Sequence, residues 1–197
     1  MAEKQQPKAH SPARRREPLE AKGGGAASLR ELPWRGKINL RGAAPEFFKA
    51  ARAALGLELP RDANTVAEGG GLLAFWLGPD EWLAHCELAR AEKIMRQLAE
   101  SLDGTNYAAT EVTDYYTVLE LSGDHAAAAL ARGCPLDLHL RAFKPGDCAQ
   151  TRFGNASVLL HRVEVARFHV QVRWSFTEYV WDYLARAIDA CRADLPQ

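Results

Sequence analysis

Residues 72–77 constrain the fold of this chain more than any other stretch. Leu73, Phe75 and Leu77 alternate with Leu72, Ala74 and Trp76, so a strand here is apolar on both faces. Such a strand belongs in the middle of a sheet. Gly69-Gly70-Gly71 joins it to a second strand expected at 64–68.

Around this pair, further strands are expected near 37–41, where Ile38 and Leu40 alternate with Lys37, Asn39 and Arg41, and at 106–113 and 116–122. Three more follow at 148–153, 156–162 and 166–173. Pro45 opens a helix whose apolar stripe is Phe47, Phe48, Ala51 and Leu55, and Gly56 stops it. Gly78-Pro79-Asp80-Glu81 reads as a second helix start, with Trp82, Leu83, Cys86, Ile94, Met95, Leu98 and Leu102 as one stripe over 79–102. A short Ala-rich helix runs from Gly123-Asp124 to Gly133. The last helix starts at Ser175-Phe176-Thr177-Glu178, read as a capping box with Trp174 and Tyr179 as its staple.

The halves rhyme. Asn39-Leu40-Arg41-Gly42 and Glu120-Leu121-Ser122-Gly123 each lead to a helix, then a strand pair, then a helix carrying Trp82 or Trp181. The recurring order indicates an α+β protein of two split βαβ, ferredoxin-like lobes, at about 36–104 and 105–192 of a domain spanning 34–197. Residues 1–33 differ in composition. Pro7, Pro12, Pro18 and Pro33 interrupt them, Gly23-Gly24-Gly25 loosens them, and little is apolar, so they read as a flexible or partner-ordered arm.

The whole chain of 197 residues holds 25 basic and 25 acidic side chains. A formal charge of zero disfavours nucleic acid as a partner and favours association with other protein. The zero is a cancellation. The arm has seven basic residues, including Arg14-Arg15-Arg16, against four acidic ones, so the body carries a net negative charge. No signal-peptide core and no membrane-length apolar run is present, and a cytoplasmic location is expected. Cys86, Cys134, Cys148 and Cys191 form no C-x-x-C pair and read as reduced, core-type thiols.

Chemistry is sparse. There is no G-x-G-x-x-G turn between strand and helix, no phosphate-binding G-x-x-x-x-G-K, and no G-x-S-x-G elbow. Cys134 or Cys148 could meet His125, His139 or His161 in space as a thiol–imidazole pair, although buried, inert thiols are commoner. Glu111 and Asp114 could act as bases but read better as exposed strand-end acids.

One segment is distinctive. It runs Gly133-Cys134-Pro135-Leu136-Asp137-Leu138-His139, Arg141-Ala142-Phe143, Pro145-Gly146, Cys148-Ala149-Gln150-Thr151-Arg152, then Val158-Leu159-Leu160-His161. With Trp76-Leu77-Gly78-Pro79-Asp80-Glu81-Trp82-Leu83, it resembles the gamma subunit of heterotetrameric sarcosine oxidase over roughly residues 70–185. The resemblance implies membership of an alpha-beta-gamma-delta assembly that oxidatively demethylates sarcosine to glycine with tetrahydrofolate as one-carbon acceptor. It places FAD, FMN, NAD and zinc in the partner subunits, with no cofactor in this chain. It also implies a fold like the folate-binding domain of aminomethyltransferase, the T-protein of glycine cleavage. The family assigns no catalytic residue to gamma. Cys134, Pro135, Asp137, Cys148, Gln150 and Arg152 are therefore read as a structural or subunit-contact loop, with Pro135 holding Cys134 extended and Asp137 capping nearby amides.

Two other readings stay open. One is a stand-alone folate-dependent one-carbon transferase or folate-binding protein. The other is an iron-sulfur maintenance protein of the same fold, whose Lys-Gly-Cys-x-x-Gly-Gln-Glu motif is matched at 145–152 only in its cysteine.

Overall fold

A computed structural model describes residues 11–13, 15–20 and 27–193, without the Arg192 side chain. Among the described residues the chain folds into two five-stranded sheets and four α-helices.

The first sheet is built from β2 (Gly36–Arg41), β3 (Val66–Gly69), β4 (Leu72–Gly78), β5 (Glu81–Cys86) and β6 (Ala108–Glu111). Its order is β3-β4-β5-β2-β6, antiparallel throughout. Helices α1 (Pro45–Leu55) and α2 (Ala91–Ser101) cover one face. Gly56 closes α1 in the left-handed conformation at φ 72°, its N–H reaching Arg52 O at 2.8 Å, as a residue without Cβ allows.

The second sheet has β1 (Ser28–Glu31), β7 (Tyr116–Ser122), β8 (Cys148–Phe153), β9 (Ala156–Glu164) and β10 (Arg167–Arg173), in the order β1-β7-β10-β9-β8. Helices α3 (Ala126–Ala131) and α4 (Thr177–Ala193) pack on it.

The two sheets meet face to face through a small apolar cluster of Phe75, Leu83, Cys148 and Leu159, giving helix, sheet, sheet and helix layers. β4 lies inside its sheet as its sequence requires. Leu72 and Ala74 join the helix-side core, whereas Phe75 faces the other sheet.

The two lobes are one topology used twice. In order, β2, α1, β3, β4, β5 and α2 correspond to β7, α3, β8, β9, β10 and α4. A 3-10 turn precedes both α2 and α4, at Leu88–Arg90 and Trp174–Phe176. In the first lobe α2 leads to β6, which pairs with β2. Among the described residues no strand follows α4, and the matching place beside β7 is taken by β1. Without its extra edge strand (β3 or β8), each sheet has the four-strand order of a split βαβ fold.

Several expectations are corrected here. The helix expected over 79–102 is a hairpin strand, β5, followed by the shorter α2. Pro79 and Asp80 turn the chain between β4 and β5, and Trp82 lies in a strand. The lobe boundaries shift, since β6 belongs with the first sheet and β1 with the second.

The expected arm also contains ordered structure. β1 lies within it, Ala13 is buried, and Leu19 bridges to Leu29. Few apolar side chains suffice there because β7 offers a row of backbone partners. Arg16 adds an ion pair to Asp182 of α4 at 3.0 Å. Residues 1–10, 14 and 21–26 of the expected arm, including Pro7, Arg14 and Gly23-Gly24-Gly25, lie outside the described residues. At the last helix, Ser175 sits in the 3-10 turn and α4 begins at Thr177. Trp174 is 55% exposed, so the expected staple does not bury it.

Candidate functional site between the sheets

The facing surfaces of the two sheets carry the chain's concentration of buried polar groups. Alternation places them there. On β10, Phe168, Val170 and Val172 enter the helix-side core, which turns His169 and Gln171 toward the other sheet. On the opposing sheet, His85 lies across from Lys37 in the β2–β5 register and across from Leu73 in the β4–β5 register.

Aromatic contacts tie this layer together. The Phe75 ring lies 4.9 Å from His85 and 5.3 Å from His161, and His161 lies 5.7 Å from His169. The His169 Nε2–Glu120 Oε2 distance is 3.3 Å, and Arg30 of β1 donates to Glu120 Oε1 at 2.7 Å.

Burial sets the electrostatics. It pushes His85 down to about 3, with Lys37 adding repulsion, and His161 down to about 4. His169 is lowered by burial despite its Glu120 partner. Burial pushes the Glu120 carboxyl up, but hydrogen bonds from Arg30 and His169 outweigh it and hold it low. Lys37 is brought down to about 8 by burial, against the pull of Asp114 and Glu31. The layer therefore holds neutral imidazoles around one buried ammonium at neutral pH.

Two spaces open from this layer. One is a partly enclosed cavity of about 80 Å³ beside Lys37, His85 and His169. The other is a wider groove of about 440 Å³ at the mouth, bordered by Gln150, Arg152 and Arg173.

The residues singled out in the sequence are distributed across these features. Gln150 bridges the sheets by donating from Nε2 to Leu77 O at 2.9 Å. Arg152 is exposed beside it at the groove. Cys148 is fully buried, and its thiol donates to Thr65 O at 3.4 Å and Trp76 O at 3.7 Å. Burial pushes that thiol up to about 12. Cys148 and His161 are cross-strand partners, but a thiol held in its protonated form is a poor nucleophile.

Cys134 lies on the other side of the sheet, in the helix-side core, with Sγ 3.9 Å from Thr151 Oγ1. Pro135 is exposed. Asp137 Oδ1 accepts from the His139 N–H at 2.9 Å, and that bond, with Arg141 nearby, holds its carboxyl below the usual range. Cys134 and Cys148 are thus on opposite faces, and the motif is a loop followed by an edge strand. Its packing explains Gly133: a Cβ there would come within 2.8 Å of the Phe153 ring.

Sequence reasoning missed Lys37, His85, His169, Gln171 and Arg162. Arg162 is buried and fastens the motif loop, donating from Nη1 to Leu138 O and Phe143 O, each at 2.8 Å. For Lys37, His169 and Gln171 the available signal was the polar half of an alternating strand. A polar face reads as facing solvent, and only a second sheet laid over it makes it interior.

Comparison with known proteins agrees with this architecture. The model of the sarcosine oxidase, gamma subunit family matches residues 40–190. The sarcosine oxidase subunit gamma of Arthrobacter sp. is 34% identical over 166 residues, covering 83% of this chain and 81% of that protein. The corresponding subunit of Corynebacterium sp. (strain P-1) is 33% identical over 167 residues, with coverage of 83% and 81%. A chain of the heterotetrameric sarcosine oxidase from Corynebacterium sp. U-96, solved in complex with pyrrole 2-carboxylate, superposes with a TM-score of 0.87 at 29% identity, covering 96% of this chain and 99% of that one. The glycine cleavage aminomethyltransferase T of Bartonella henselae shares the fold, with a TM-score of 0.57 at 16% identity over 82% of this chain and 46% of that one. This chain belongs to the sarcosine oxidase gamma subunit family.

Proposed function

We propose that this chain is the non-catalytic, assembly-stabilising gamma subunit of a heterotetrameric sarcosine oxidase. Its partners are the alpha, beta and delta subunits, which hold FAD, FMN, NAD and zinc. The complex oxidatively demethylates sarcosine to glycine and passes the one-carbon unit to tetrahydrofolate. The chain works in the cytoplasm, with neither nucleic acid nor membrane as partner. Among the described residues, no helix is long and apolar enough to cross a membrane.

The observation that supports this reading most is how the distinctive motif uses its polar atoms. Asp137 caps its own loop, Gln150 joins the two sheets, and the Cys148 thiol is directed at two backbone carbonyls. These are scaffold roles. Exposed aromatic side chains also support it: Trp174, Phe176 and Tyr115 are 55%, 41% and 40% exposed. Large aromatic side chains are common anchors of protein interfaces.

The test is co-expression with the partner subunits. The chain is expected to co-elute with a flavin-bearing partner, and Cys148→Ser is expected to leave sarcosine turnover by the assembled complex within about twofold. In the native complex at pH 8, Cys148 should resist iodoacetamide. A chain that elutes alone as a monomer, or an assembled Cys148→Ser complex that has lost turnover, overturns the reading. Saturable quenching of the five tryptophans by tetrahydrofolate in the isolated chain would move the assignment to a folate-binding protein.

A further inference from the structure

The smaller cavity between the sheets has a chemical character of its own, independent of the assembly role. Its volume of about 80 Å³ is several times the ~10–15 Å³ that one water needs. It therefore has room for a ligand of a few heavy atoms. Its wall divides by polarity. Trp34, Leu73 and Val118 supply an apolar side, and Arg35, Lys37, His85 and His169 a polar one.

The polar side has buried polar atoms without partners. His85 is only 4% exposed, and its Nε2 has no partner. Arg35 Nε is likewise buried without a partner. Lys37, 2% exposed, reaches Arg35 O at 3.3 Å and Thr113 O at 3.4 Å, both long contacts that leave donor capacity on the ammonium. The nearest buried carboxylate on the facing strand, Glu120, is already committed to Arg30 and His169. Two cationic side chains and an imidazole thus border a small space that contains no carboxylate from the protein's own lining.

We infer that this cavity is a binding site for a small organic monocarboxylate, its carboxylate at Arg35, Lys37 and His85 and its alkyl group against Trp34, Leu73 and Val118. An inorganic anion would satisfy the donors but leave the apolar wall facing a polar ligand. An alkylammonium would place a third cation beside Lys37 and Arg35. A short carboxylate complements both sides of the wall.

The experiment uses the full chain, titrated with sodium propionate and acetate against sodium chloride, phosphate and ethylamine at matched ionic strength. Saturable binding is expected for the two carboxylates, with propionate the tighter and ethylamine silent. Lys37→Met should weaken propionate between about ten- and a hundredfold, the loss of one charge-assisted hydrogen bond. The wild-type chain carries a readout that does not depend on the variant's folding. Intermolecular nuclear Overhauser effects from the propionate methyl to Trp34 and Leu73 are expected. Their absence at saturating propionate, or a response that chloride reproduces, means the cavity holds water alone and overturns the assignment.

Discussion

His85 and His161 stay uncharged because they are sealed between two sheets, and this makes them acid-sensitive elements of the fold. Both carry folded-state pKa values below the ordinary 6.5, at about 3 and about 4. Above pH 6.5 neither the folded nor the unfolded chain protonates them, and they exert no pH dependence. As pH falls below 6.5 the unfolded chain gains protons that the folded chain refuses, so stability falls until the folded values are reached. Each histidine contributes about 1.4 kcal/mol per pH unit in that window. At pH 5 the pair costs roughly 3–4 kcal/mol, a large part of a typical domain's stability. His169, also lowered by burial, acts in the same sense. Lys37 works likewise in an alkaline window, since burial brings it from 10.5 to about 8. Urea unfolding at pH 7 and pH 5 measures the effect, and His85→Leu with His161→Phe is expected to flatten the slope. Equal stability at the two pH values would falsify the neutral-imidazole assignment.

At the scale of elements, β1 completes the second sheet. Its Leu29 is fully buried, and Arg30 pairs with Glu120 at 2.6 Å. Leu29→Ala is expected to cost about 3 kcal/mol in urea unfolding, the usual size of a fully buried leucine truncation. A change under about 0.5 kcal/mol would show that β1 is only laid on the surface. Deleting residues 1–31 should leave the β7 edge unpaired and the chain prone to aggregate, seen as lost monomer in gel filtration.

The same elements show what sequence could and could not convey. Strands β8, β9 and β10 were legible because turn residues bound them and their alternation is clear. β5 was not, because Trp82, Leu83, Ala84 and Cys86 are apolar on both faces, and Trp82, Leu83 and Cys86 fit a helical stripe equally well. Pro79 and Asp80 suit a hairpin turn as well as a helix start. β1 was hidden in a stretch poor in apolar residues, since its partner is about ninety residues away. Of the site, the motif loop and Cys148 could be found, whereas Lys37, His85 and His169 required knowing that the two polar faces oppose each other.

The whole molecule is two similar lobes joined at their sheets, and its cooperativity depends on that joint. Each lobe has its own helix-side core, and the apolar contact between them is small, centred on Phe75, Leu83, Cys148 and Leu159. Phe75 is its keystone. It is 3% exposed and stacks edge-on against His85 of its own sheet and His161 of the other. Replacing it with alanine leaves a cavity bordered by the two imidazoles it stacks against. Phe75→Ala is therefore expected to cost about 3–5 kcal/mol, but mainly at the joint. The wild-type chain should unfold in one transition, with calorimetric and van't Hoff enthalpies equal. In Phe75→Ala the van't Hoff enthalpy should fall below the calorimetric one, because the lobes then melt separately. The histidine slope should shrink in the same variant, since water admitted to the joint relieves the burial of His85 and His161. A variant that loses stability yet keeps both the single transition and the full acid slope would place the coupling elsewhere, in the edge strands each lobe takes from beyond its own repeat.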